Sequence, residues 1–160
     1  MKHATILTAA LFASWAQFSA THAAPGEAGH SHETFSAGEP GNPKRPSRTV
    51  QITMREKDGK MLFIPDRVEV KKGEQIRFVL RNNGELDHEF MLATTEENIK
   101  HAELMKKFPE MEHDDPNGKQ LAPKKTGELL WRFNKAGTFE YGCLIPGHRE
   151  AGMTGNVIVK

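Results

Sequence analysis

Cysteine is almost missing from this chain of 160 residues, where Cys143 stands alone. A single thiol excludes an intramolecular disulfide framework and any Cys-rich zinc module, since both need several. Charge of one sign is missing as well. With 22 Lys+Arg against 21 Asp+Glu the formal charge is +1. That balance removes the electrostatic case for nucleic acid, whose binders carry a strong basic excess. Past the N-terminal segment, no stretch approaches the ~18–20 apolar residues that a membrane span needs. The length fits one ordinary domain, which excludes a multidomain oxidase or a long repeat array. Apolar content of 37% and charged content of 27% are those of a soluble globular chain. Eight His and seven Met are plentiful beside the lone Cys.

The N-terminus has the layout of a secretory signal peptide. Lys2 and His3 form a short basic start, residues 4–18 are mostly small and apolar, and small residues follow around Thr21 and Ala23. The apolar run is too short to anchor the chain in a bilayer. Cleavage is expected after Ala23, because a cut one residue later would set Pro25 directly after the scissile bond. Residues 24–48 then hold four Pro, four Gly and one large apolar side chain, Phe35. Such a segment buries too little surface to offset its ordering entropy, so it reads as a flexible leader. His30 and His32 within it are either solvated or a grip for a cupric ion. The working domain is expected to span residues 49–160.

From Thr49 onward the pattern alternates. Val50, Ile52 and Met54 face one way, with Gln51, Thr53 and Arg55 facing the other, which is the period of a strand. Asp58-Gly59 is a turn signal before the apolar run 61–64. Val68 and Val70, then Ile76, Val79 and Leu80, mark further strands separated by Lys72-Gly73. Asn82-Asn83-Gly84 interrupts the pattern and residues 88–92 resume it. Residues 129–133, 138–143 and 156–159 complete the set. Short strands with turns between them predict an all-β, antiparallel sandwich. One short helix is inserted: Thr94 and Glu97 have capping-box spacing, and Ile99, Ala102, Met105 and Phe108 recur up to Pro109. Met105 reads as core packing. Residues 110–125, with Met111 and His113, read as a polar surface loop that is solvated or binds metal loosely.

The chemistry lies near the C-terminus, where Cys143, His148 and Met153 follow a Cys-x4-His-x4-Met spacing between two expected strands. Thiolate, imidazole and thioether on one tight loop form a soft donor set that prefers copper. Pro146, Gly147 and Gly152 allow the loop to curl so that the three converge. His88, opening a strand upstream, is the leading candidate for a second imidazole. Two His and one Cys in a plane with a distant axial Met describe a type 1 copper site. Each residue alone has a plainer reading as buried core or hydrogen-bonded surface. A catalytic Cys–His dyad is the sharper rival, but no orienting carboxamide or oxyanion hole is evident.

The segments Gly137-Thr-Phe-Glu-Tyr-Gly-Cys143, Pro146-Gly-His148 and Gly152-Met-Thr-Gly155 followed by Val157-Ile-Val resemble the cupredoxins, the small copper proteins that include plastocyanin and azurin. Val68-Glu-Val-Lys-Lys-Gly73 and Asn82-Asn83 ahead of His88 extend the likeness over residues 49–160. The resemblance implies a Greek-key sandwich holding one copper ion, with His88, Cys143 and His148 as strong ligands and Met153 as the weak axial one. It also implies an electron port at the edge of His148, near Pro146, Gly147 and Ala151. The export signal and His-containing leader are most similar to periplasmic CopI-type cupredoxins linked to bacterial copper tolerance. A monomer that is no enzyme is expected, working with redox partner proteins or copper-handling proteins. One-electron transfer and copper sequestration or delivery both remain open. The chain departs from many cupredoxins in having Glu89 after the first His, where Asn or Ser is usual, with Asp87 on the other side.

Overall fold

A computed structural model describes residues 35–108 and 115–160. The expected signal peptide, His30, His32, Met111 and His113 lie outside the described residues. Ten strands and one helix follow in chain order: β1 (Glu39–Pro40), β2 (Arg48–Lys57), β3 (Lys60–Ile64), β4 (Arg67–Val70), β5 (Gln75–Asn82), β6 (His88–Ala93), α1 (Thr95–Lys107), β7 (Gly118–Leu121), β8 (Thr126–Arg132), β9 (Gly137–Gly142) and β10 (Thr154–Val159). They form two five-stranded sheets, ordered β1-β8-β5-β2-β3 and β4-β10-β9-β6-β7. The chain is an all-β sandwich with one short helix. Among the described residues no helix is long and apolar enough to cross a membrane.

Alternation explains the inner faces. Ile52 and Met54 of β2 are fully buried, with Gln51 and Arg55 turned to solvent. Between the sheets Phe90 and Tyr141 stack with centroids 5.1 Å apart, and Phe63 meets them edge-on at 6.0 and 5.2 Å. The same buried cluster includes Cys143 and Met153. Strand β6 is buried along its whole length because α1 covers its outer face. There Met91 packs with Ala102, Met105 and Leu144 in a second cluster.

Four expectations change. The sandwich is not purely antiparallel: β2 pairs with β5, and β4 with β10, in parallel. Alternation reports which face a residue occupies and is silent on strand direction. A parallel pair needs a crossover, and between β2 and β5 the chain visits the other sheet as β4.

From Phe35 onward the expected leader is packed against the domain rather than flexible. Phe35 sits edge-on to Trp131 at 5.3 Å, and the Trp131 indole N–H donates to the Ala37 carbonyl at 3.1 Å. Strand β1 pairs with β8, and the Gln75 side-chain oxygen accepts the Asn42 N–H at 2.7 Å. Composition counts side chains, but this segment is ordered mainly by backbone pairing at a sheet edge.

The polar stretch 110–125 contains β7, paired with β6. The buried stripe of α1 is Asn98, Ala102 and Met105, with Ile99 and Phe108 exposed.

Candidate metal centre

Strand register brings the motif together. Gly142, at the end of β9, pairs with Met91 of β6 on one side and Thr154 of β10 on the other. Cys143 therefore leaves β9 where β10 begins, beside the strand that His88 opens. Residues 143–153 close a tight loop whose neck is pinned by the Cys143 N–H to the Met153 carbonyl and the Met153 N–H to the His148 carbonyl, both 3.1 Å. Within the loop, the His148 N–H donates to Ile145 and the Ala151 N–H to Gly147, each at 3.0 Å. Gly147 and Gly152 turn the chain at φ +89° and +101°, a region that side chains disfavour.

The side chains of His88, Cys143 and His148 converge. Nδ1 of His148 lies 3.3 Å from Nδ1 of His88 and 3.3 Å from Sγ of Cys143. The three ligand atoms all fall within 4.8 Å of one another. Bonds of about 2.0–2.3 Å to a first-row ion in a trigonal plane would separate ligand atoms by about 3.5–4 Å. The donor set fits a single copper ion in both chemistry and spacing. His88 and Cys143 are fully buried and His148 is 9% exposed. Met153 is fully buried at the loop neck, in the same cluster as Cys143.

Burial pushes the Cys143 thiol up to about 12, and the nearby Glu89 carboxylate adds to this. The N–H groups of Glu89 and Ile145 pull the other way, and that of Glu89 meets the sulfur at 3.3 Å. Burial lowers the pKa of His148, and the neighbouring His88 ring acts in the same direction. Without metal the pocket thus favours a neutral thiol and a neutral His148.

Glu89 does more than replace an amide. It is buried, and its Oε2 accepts the Leu144 N–H at 3.3 Å, tying β6 to the ligand loop. Asp87, by contrast, is exposed.

Sequence reasoning missed three contributors. Glu56 reaches from β2 to place Oε1 2.8 Å from Nε2 of His88. Its one signal is phase, because Glu56 continues the inward series Val50, Ile52, Met54. Partial burial of this carboxyl acts to raise its pKa, but backbone N–H groups, including those of Glu85 and Leu86, together with the His88 ring hold it below the usual value. Arg149 makes two contacts of 3.0 and 2.8 Å with the buried Glu140 carboxylate. Glu150 pairs with Lys106 of α1 at 2.9 Å. Both ion pairs brace the ligand loop.

Residues 50–160 match the family model described as copper binding proteins, plastocyanin/azurin family. The chain belongs to that family. Among curated proteins it is 41% identical to the copper-resistant cuproprotein CopI of Rubrivivax gelatinosus, over 100% of this chain and 97% of that protein. It is 34% identical to the CopI of Pseudomonas aeruginosa, over 77% of this chain and 82% of that protein. Among solved structures, auracyanin B aligns with a TM-score of 0.61 at 21% identity, covering 78% of this chain and 96% of that one. A multicopper oxidase from Campylobacter jejuni aligns with a TM-score of 0.53 at 15% identity, covering 74% of this chain and 31% of that one. At such identities the structural likeness shows the fold alone. This cupredoxin is CopI-like in sequence, and copper is its cofactor.

Proposed function

We propose that this cupredoxin holds one copper ion on His88, Cys143 and His148, with Met153 as a weak axial ligand, and passes single electrons in the periplasm as part of copper tolerance. The observation that carries the reading is the convergence of two imidazole nitrogens and one thiol sulfur within 4.8 Å. Bound copper supplies a one-electron couple. The chain's contribution is to hold the ligands in place so that little has to move between oxidation states. Strand ends fix His88 and Cys143, and the hydrogen-bonded loop fixes His148. Burial of Cys143 and His88 keeps water from the thiolate. His148 meets the surface beside exposed Pro146 and Gly147, which makes its edge the exit for an electron. The copper-resistance names of the relatives supply the physiological context. They also favour a second reading, in which the protein sequesters or delivers copper, because resistance can be met by binding alone.

A copper-titrated visible and EPR spectrum tests the site. One equivalent of Cu(II) is expected to give intense visible absorption and a type 1 EPR signal, both lost in Cys143→Ala. A colourless copper-loaded wild type overturns the site assignment. Reversible one-electron cycling favours transfer. Failure to cycle, together with more than one copper per chain, favours sequestration.

A further inference from the structure

We propose that Glu56 is a positioning residue for the copper site: its carboxylate fixes the proton of His88 on Nε2 and makes the ring a stronger donor through Nδ1. This rests on His88 being a copper ligand.

The carboxylate is built into place from three directions. Oε1 lies 2.8 Å from His88 Nε2 and accepts the Leu86 N–H at 3.1 Å, and Oε2 accepts the Glu85 N–H at 3.0 Å. A β-carbon at Gly84 would fall 2.4 Å from Oε2 and 2.6 Å from Oε1, so only glycine leaves room for the carboxylate there. Asn82 shapes the same turn by accepting the Gly84 N–H at 2.9 Å and donating to the Leu86 carbonyl at 2.7 Å. A seat of this kind, assembled from β2 and the turn before β6, exceeds what a strand-end carboxylate needs to stay solvated.

The chemistry follows from the donor inventory. An ionised carboxylate only accepts, so the proton shared with His88 belongs to Nε2 of the ring. That leaves the Nδ1 lone pair free on the side where Cys143 and His148 wait. A carboxylate behind a ligating imidazole fixes its tautomer and orientation and raises its basicity. Negative charge there stabilises the more highly charged ion, so Glu56 favours Cu(II) over Cu(I).

The experiment uses the full chain as wild type, Glu56→Gln and Glu56→Ala, with each variant's fold checked by thermal melting. The glutamine keeps size and an acceptor but removes the charge. Its ratio of Cu(I) to Cu(II) affinity is expected to rise about tenfold, a positive shift of about 59 mV for a one-electron couple. In NMR of the metal-free wild type, the His88 Nε2–H proton is expected to be protected from exchange, and in Glu56→Ala that protection is lost. Folded variants with wild-type potentials overturn the proposal, as does free exchange of that proton in the wild type. If neither variant folds, the wild-type resonance decides. A wild type without a Cys143-dependent visible band takes the copper assignment down as well, whereas a coloured protein with an unchanged Glu56→Gln takes down only the role of Glu56.

Discussion

Cys143 must lose a proton before it can bind a metal ion, and its surroundings make that proton hard to lose. With the thiol pushed up to about 12, it is protonated at neutral pH. Protons therefore compete with copper, and the competition strengthens as pH falls. Copper uptake near pH 7 is expected to release about one proton from Cys143, with apparent affinity rising about tenfold per pH unit. A copper titration in dilute indicator buffer reads this directly, and Cys143→Ala should abolish the release. Met153 gives a contrasting case. Leu matches its volume, so Met153→Leu should change stability by less than about 1.5 kcal/mol in urea unfolding. In the proposed site the Met153 thioether is a weak donor that tunes the couple, so the variant should keep the visible band while its reduction potential moves. The closeness of Cys143 and His148 was legible because they share one loop, where spacing alone implies proximity. Glu56 was not, since it meets His88 across 32 positions of sequence. An acid in phase with Ile52 and Met54 was its only trace.

At the scale of elements, α1 is both the lid of β6 and a brace for the ligand loop. Its start was readable: the Thr94 hydroxyl accepts the Glu97 N–H, and Glu97 returns the bond to the Thr94 N–H at 2.9 Å. Thr94→Ala is expected to cost about 1 kcal/mol in urea unfolding. Ala102 and Met105 of the apolar run lie on the buried face of α1, which they share with Asn98, a polar residue. Asn98, Ala102 and Met105 follow true helical spacing, and the threefold run through Ile99 and Phe108 drifts off that face. Asn98 earns burial through the Glu140 carboxylate, 3.2 Å from its side-chain nitrogen, and Glu140 in turn holds Arg149 of the loop. Arg149→Ala would leave that carboxylate without its cation, a loss of about 3 kcal/mol, the low end for buried pairs. Lys106→Ala breaks an exposed pair with Glu150 and should stay within about 1 kcal/mol. Equal effects of the two substitutions would show that Glu140 is solvated after all.

The whole molecule depends on more chain than its alternating residues announce. Strand patterning located most of both sheets, yet the segment from Phe35 to β1 was hidden by its proline and glycine content. Its order comes from pairing with β8 and from covering Trp131, which is fully buried. A chain that starts at Thr49 uncovers one face of that indole and loses the Phe35 contact, the Ala37 carbonyl and the edge strand. Burying an aromatic side chain contributes about 1.5–3 kcal/mol, so with the lost hydrogen bonds added the truncation should destabilise the metal-free protein by at least that amount in urea unfolding. The copper site belongs to the other sheet; on that side the Ser36 hydroxyl donates to Glu97 of α1 and not to a residue of the site. Its visible spectrum, taken under conditions where the shortened chain remains folded, should match that of the full chain. This separates two roles of the N-terminal region. Truncation to Glu33 removes His30 and His32 and keeps the packed segment. If those histidines bind copper, that shorter cut alone lowers the copper-to-protein ratio with the melting temperature unchanged. Loss of stability without loss of copper, appearing only in the cut to Thr49, assigns residues 35–48 to the fold and leaves metal binding to the centre built on Cys143.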